Sequence, residues 1–141
     1  MSIAEYRRRL RGSVAQSAAP YGYTLTIWTS GAIVAHVHGV PATVHALVFA
    51  AGAILAFMLV GVLAFGRPEH LLRPPKEAAV EVWGAFHMPV VGAAVGMATL
   101  VAHGVENTVL CWFLVGFLST ASYLLLIALQ FMLAEHPRAR G

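Results

Sequence analysis

The sequence contains no aspartate, a single lysine and a single cysteine, Cys111. One cysteine cannot form a disulfide within the chain or supply a cluster of thiolate ligands to a metal. Only 11% of the residues are charged and 59% are hydrophobic, whereas a soluble domain has about a quarter charged and about half apolar residues. This composition excludes an ordinary water-soluble domain and predicts a protein that lies in lipid.

Signatures of catalysis are also missing from the sequence. It has no paired carboxylates inside an apolar segment, no nucleophile elbow, no glycine-rich phosphate loop before a helix and no zinc-type spacing of cysteines. These absences weigh against an enzymatic function.

Four long apolar segments dominate the sequence, at approximately residues 22–38, 42–65, 80–103 and 107–133. A helix needs roughly 20 mainly apolar residues to cross a bilayer core of about 30 Å. The segments also lack the alternating pattern of barrel strands. The sequence therefore predicts an all-α integral membrane protein with four transmembrane helices over residues 22–133, a basic N-terminal segment (residues 1–21) and a tail (residues 134–141).

The connections and the cations predict the topology. Connections of about three residues join the first to the second segment and the third to the fourth, which predicts two antiparallel hairpins. All nine Lys and Arg residues lie before the first segment, in the middle loop or after the fourth. Because such cations stay on the cytoplasmic side, both termini and the middle loop are expected in the cytoplasm, at a bacterial plasma (inner) membrane. The N-terminal "RRRLR" is expected to contact anionic lipid headgroups rather than nucleic acid.

A short repeat marks the two turns opposite the cations. "HGVPATV" at residues 38–44 returns as "HGVENTV" at residues 103–109, and Gly31 and Gly96 match at the same offset. One interpretation is a duplicated helical hairpin, with a pseudo-twofold axis along the membrane normal. The other is convergence on one turn chemistry, in which Gly ends a helix and Thr caps the next. The sequence leaves both interpretations open.

Histidines are the side chains most suited to bind a metal or a cofactor in this sequence. His36, His38, His45 and His103 fall near the two related turns, and Glu106 follows His103 by one helical turn. Such a cluster can bind a divalent transition metal or supply axial ligands to haem b. The structural alternative is that these imidazoles lie at the membrane interface and contact headgroup water.

The third segment carries further candidates for permeation or helix contact. His87 is an ionisable residue inside a predicted span, next to Pro89, and such residues are functional candidates. Gly92 and Gly96 form a GxxxG pattern, which allows close helix approach. The pattern predicts that this face lies at the centre of the bundle or in an oligomer contact.

Two classes of function fit these features. Polar residues within the spans, including Ser119 and Ser122 of the fourth, favour a channel or transporter for an ion or small solute. Four helices barely enclose a pore, so this function requires a homo-oligomer. The alternative is a membrane anchor or accessory subunit of a larger complex, with haem or a metal held by the histidines.

The placement of the cations generates a prediction about topology. A reporter fused after Gly141 or inserted near Pro75 should report cytoplasm, and one inserted at Gly39 or Gly104 should report the opposite side. The readout is reporter activity or protease protection in intact cells. An odd number of crossings would contradict the predicted topology.

Overall fold

A computed structural model describes residues 3–65 and 87–135, with side chains over residues 20–63 and 88–130. The described residues form four α-helices and no strand: α1 Ile3–His38, α2 Thr43–Phe65, α3 His87–Gly104 and α4 Thr108–Glu135. The all-helical fold class is confirmed for this part of the chain. The middle loop, the start of the predicted third segment and the C-terminal end lie outside the described residues.

Helix bounds follow the apolar segments closely except at the N-terminus. Helices α2 and α4 each begin one residue after the predicted start. Helix α1 begins at Ile3, so it includes most of the segment that was assigned to a separate basic N-terminus. Ala and Arg are abundant over these first residues and are strong helix formers, which explains why the helix extends beyond the apolar segment.

Two of the four helices are long and apolar enough to cross a membrane, by length and composition. These stretches are Thr43–Leu63, with 21 residues, and Thr108–Gln130, with 23 residues. Helix α3 has a shorter apolar stretch, Met88–Gly104. Hydropathy alone therefore supports membrane crossing most strongly for α2 and α4.

The two short links, residues 39–42 and 105–107, lie at one end of the bundle, which we call the turn end. Helices α1 and α3 run towards the turn end, and α2 and α4 run away from it. Helix α4 is central, because it packs against each of the other three helices, and α1 also packs against α3. Helix α2 packs against α4 alone, so the consecutive helices α1 and α2 do not pack on each other over the described residues.

The α2/α4 contact is made through two glycines. A Cβ atom built on Gly52 would overlap the backbone oxygen of Phe113, and one built on Gly116 would overlap the backbone oxygen of Phe49. The contact is therefore reciprocal, since each helix offers a glycine to the backbone of the other. Ala56, one turn after Gly52, is also fully buried. Small residues at these positions let the two backbones touch.

The GxxxG pattern of α3 has a different position from the predicted one. Gly92 and Gly96 are exposed, and a Cβ built on either would have no atom within 4 Å. The prediction that they lie at the centre of the bundle is wrong, and an oligomer contact there stays a prediction. The inward face of α3 lies about 200° around the helix axis from Gly92 and Gly96. It carries a buried residue at every fourth position: Val90, Ala94, Ala98 and Ala102.

Every fourth residue of α1 likewise faces the interior of the bundle. Thr26, Ser30 and Val34 are fully buried, and Gly22 and His38 continue the same row towards the two ends of the bundle. Opposite Gly22 lies the Tyr123 hydroxyl, which would be 2.7 Å from a Cβ at that position. The row of small and polar residues therefore lets α1 lie close to its neighbours.

The repeated HGV motif forms two different turns. Gly39 follows the last residue of α1 with φ +86°, the left-handed conformation that favours glycine at a helix C-terminus. Gly104 instead lies within α3, without a positive φ. Helix α4 is capped by Asn107, the residue before its first turn, whose side-chain oxygen accepts a hydrogen bond from the Leu110 amide at 2.9 Å. The two turns therefore differ in conformation, and the two hairpins differ in packing, since α3 packs on α4 whereas α1 does not pack on α2.

The reciprocal glycine contact predicts a difference between glycines that look alike in sequence. We expect Gly52→Leu and Gly116→Leu each to lower the free energy of unfolding by about 1–3 kcal/mol, because a leucine there forces α2 and α4 apart. Gly96→Leu is the matched control and should have little effect on the isolated chain. The measurement is denaturant or thermal unfolding in detergent, and equal losses in all three variants would contradict the packing.

Candidate functional site

His38 lies where three helices meet at the turn end. Its Nε2 is 3.0 Å from the backbone oxygen of Ala102 in α3, and its Nδ1 is 3.5 Å from Oγ1 of Thr108 at the start of α4. A carbonyl oxygen can only accept, so Nε2 carries the proton in this arrangement. Nδ1 lies within hydrogen-bond distance of the Thr108 hydroxyl. His38 therefore links the end of α1 to both neighbouring helices.

His45 has a local structural role at the start of α2. The Ala42 amide donates a hydrogen bond to Nδ1 of His45 at 3.1 Å. The imidazole thus satisfies one of the free amides at the helix N-terminus, as a Glu or Gln does in a capping box. The ring also stacks on Trp112, with centroids 6.2 Å apart and an interplanar angle of 16°. His45 therefore fixes the start of α2 against α4.

The remaining candidate ligands face away from this junction. His103 is exposed, and its Nδ1 donates to the backbone oxygen of Thr99, one turn earlier in α3, at 2.9 Å. His36 and Glu106 are also exposed. Within the described residues, no group of three or more His, Cys, Asp or Glu side chains comes together to hold a metal ion. The predicted ligands thus share one end of the bundle, and among the described residues they do not come together in a group of three or more.

Hydroxyl groups predicted to line a path lie between packed helices. Ser119 is fully buried and donates to the backbone oxygen of Val115 at 2.6 Å, while Ser122 is half-buried. Thr26 donates to the backbone oxygen of Gly22 at 2.9 Å. In both bonds the hydroxyl donates to a carbonyl oxygen of its own helix, one turn earlier. These polar groups are therefore part of the contacts between packed helices. Among the buried hydroxyls of the described residues, Ser30 Oγ has no hydrogen-bond partner.

Two other candidates, His87 and Pro89, lie in the first turn of α3. His87 is the first residue of α3, and its side chain lies outside the described part of the chain. Pro89 is exposed on the first turn of α3, a position that tolerates proline because the early amides of a helix have no partner within it. A permeation role for His87 stays a prediction.

A cleft between α1 and α2 was not predicted from the sequence. Its volume is about 350 Å³. One wall is formed by Tyr23, Thr24, Ile27 and Trp28 of α1, and the other by Phe49, Ala50, Ala53 and Ile54 of α2. The cleft exists because α1 and α2 are both seated on α4 without packing against each other. No local motif signals it, since it follows from which helices pair.

Both walls of the cleft are supported from behind by α4. The Tyr23 hydroxyl lies 3.3 Å from Oγ1 of Thr120, and the Tyr23 ring is 5.7 Å from that of Tyr123. Phe49 packs edge-on against Trp112, with centroids 6.0 Å apart and an interplanar angle of 76°. Aromatic side chains held in this way form a cleft that is largely preformed.

Comparison with protein-family models, with curated proteins and with solved structures finds no match to this chain. The described residues offer two features: the His38 junction at the turn end and the cleft between α1 and α2.

The His38 junction predicts a stabilising role for this imidazole. We expect His38→Ala to lower the free energy of unfolding by about 1–3 kcal/mol, because the partners on α3 and α4 lose their hydrogen bonds. His36→Ala, which removes an exposed imidazole two residues away, should cost less than about 0.5 kcal/mol. Unfolding in detergent measures both, and a larger loss for His36→Ala would show that His38 does not link the helices.

Proposed function

We propose that the chain is a multi-pass protein of the bacterial plasma membrane that crosses the bilayer with all four helices and has both termini in the cytoplasm. The one-sided cations support this orientation. The turn end, which carries Glu106 and none of the Lys or Arg residues, then faces outward. All four helices can cross, since α1 and α3 lie alongside α4.

The exposed face of α2 carries the membrane proposal. Nine large apolar side chains of this helix are exposed: Val44, Leu47, Ile54, Leu55, Phe57, Met58, Leu59, Val62 and Leu63. In water each would lose the favourable free energy of burial, about 1.5–3 kcal/mol for a fully buried side chain of this size. In a bilayer this face contacts hydrocarbon at no such cost, so the exposure is expected only in lipid or against a partner.

We further propose that the protein is an anchor or accessory subunit of a larger membrane complex. The observation that favours this class over a channel is the packed interior, where Ser119 and Thr26 bond to their own helices and Val34 and Val115 are fully buried. One chain thus offers its polar groups to helix packing and its apolar faces to the outside. Such faces, including Gly92 and Gly96 on α3, suit contact with another membrane helix.

A channel formed between several copies is the competing hypothesis. It would place the path at a subunit interface rather than within the four helices, as in other pores built from small subunits. Haem b or a divalent metal at the histidines belongs to the accessory-subunit hypothesis, and would compete with the backbone hydrogen bonds that His38, His45 and His103 already make. Ligands from a partner chain would reduce that competition.

The two hypotheses predict different behaviour of the purified protein. For an accessory subunit, vesicles that contain only this chain should be no more permeable to protons, K⁺ or small neutral solutes than empty vesicles. Crosslinking in native membranes should give a discrete complex with a second kind of chain. Flux above the level of empty vesicles would overturn the proposal in favour of a channel.

A further inference from the structure

The cleft between α1 and α2 has the shape and chemistry of a lipid-tail site. We propose that it binds one acyl chain of a bilayer phospholipid. This inference rests on the proposed membrane location and is independent of whether the protein is an accessory subunit or a channel.

The size of the cleft selects a narrow occupant. A helix about 10–12 Å across with a pitch of 5.4 Å occupies roughly 420–610 Å³ per turn. The cleft, at about 350 Å³, holds less than one such turn, so a partner helix could insert only some of its side chains between the walls. A hydrocarbon chain is much thinner than a helix with side chains and can lie along the groove.

The depth of the cleft places it among lipid tails. Phe49 lies six residues after the start of α2, and Ile54 lies eleven residues after it. At a rise of 1.5 Å per residue, these positions are about 9 Å and about 16 Å from the turn end of the helix. Within a hydrocarbon core of about 30 Å, the cleft therefore opens at the level of acyl chains and not at the headgroups.

The chemistry of the walls favours an apolar occupant. Ile27, Ala50 and Ala53 contribute only hydrocarbon. The wall hydroxyls are engaged within the protein, since Tyr23 contacts Thr120 and Thr24 donates to the backbone oxygen of Pro20 at 2.9 Å. A polar solute would find few unpaired groups and would lose hydration, whereas a hydrocarbon chain has no hydrogen bonds to lose.

The fold keeps the cleft open in a specific way. The reciprocal contact of Gly52 and Gly116 fixes α2 on α4, and His38 fixes the end of α1 on α3 and α4. Moving α1 onto α2 to close the cleft would require one of these contacts to break. A bound chain therefore enters a site that needs little reorganisation.

The test uses a phosphatidylcholine with a photoreactive diazirine in the middle of one acyl chain, in phosphatidylcholine vesicles that contain the full-length protein. Illumination should give adducts that mass spectrometry maps to residues 24–28 of α1 and 50–54 of α2, saturating at one lipid per chain. Ala53→Phe, which fills the groove, should lose these adducts. The matched control Ala93→Phe, on the exposed face of α3, should keep them.

Several outcomes would overturn the proposal. Adducts spread evenly over the exposed faces of α2, α3 and α4 would mean bulk lipid contact only. Adducts unchanged in both Ala53→Phe and Ala50→Leu, with both variants folded by circular dichroism, would mean that the groove is not the site. Adducts in purified vesicles that are lost in native membranes would mean that a partner chain covers the cleft. Reporter fusions test the membrane location separately, so a failure there is distinguishable from a failure of lipid binding.

Discussion

The backbone contact between Gly52 of α2 and Gly116 of α4 is the constraint on which the arrangement of the bundle depends. Any side chain at either position would overlap the backbone oxygen of the opposing helix. Among the described residues α2 packs against α4 alone, and the glycine contact sets how closely the two backbones approach, while His45 and Phe49 pack on Trp112 beside it. Van der Waals packing of small residues is a main source of helix association in lipid. The absence of a side chain at Gly52 and Gly116 therefore lets α2 and α4 pack closely along their backbones.

Several properties follow from seating α2 on α4. Helix α1 is left to pack on α3 and α4 through its row of small and polar residues, with His38 at the end. The space between α1 and α2 becomes the cleft, walled by Tyr23 and Phe49. The outer face of α2 stays apolar and exposed, which suits lipid or a partner helix. The buried hydroxyls of Thr26 and Ser119 are used for helix packing within the described residues.

Hydropathy predicted the existence and bounds of the helices well, because a run of apolar residues is a local property. Helix α2 starts at Thr43 and α4 at Thr108, each one residue from the prediction. The face that a glycine occupies is not local: Gly92 and Gly96 have the better-known pattern, yet Gly52 and Gly116 make the contact. The HGV repeat did not determine the form of its two turns, since the residues that follow it differ, with Asn107 as the cap of α4 in the second copy. The cleft could not be predicted because it depends on which helices pair.

The most direct test of the packing is solid-state NMR on the full-length protein in lipid bilayers, with the backbone carbonyl carbon of Phe and the Cα of Gly labelled with ¹³C. The packing requires through-space cross-peaks between Phe113 and Gly52 and between Phe49 and Gly116, each lost when its glycine is replaced by alanine. A second sample with labelled Ile and Ala backbones should give no cross-peak between Ile27 and Ala53. Cross-peaks between Ile27 and Ala53, with none between the Phe and Gly pairs, would show that α2 packs on α1 and would contradict the described bundle.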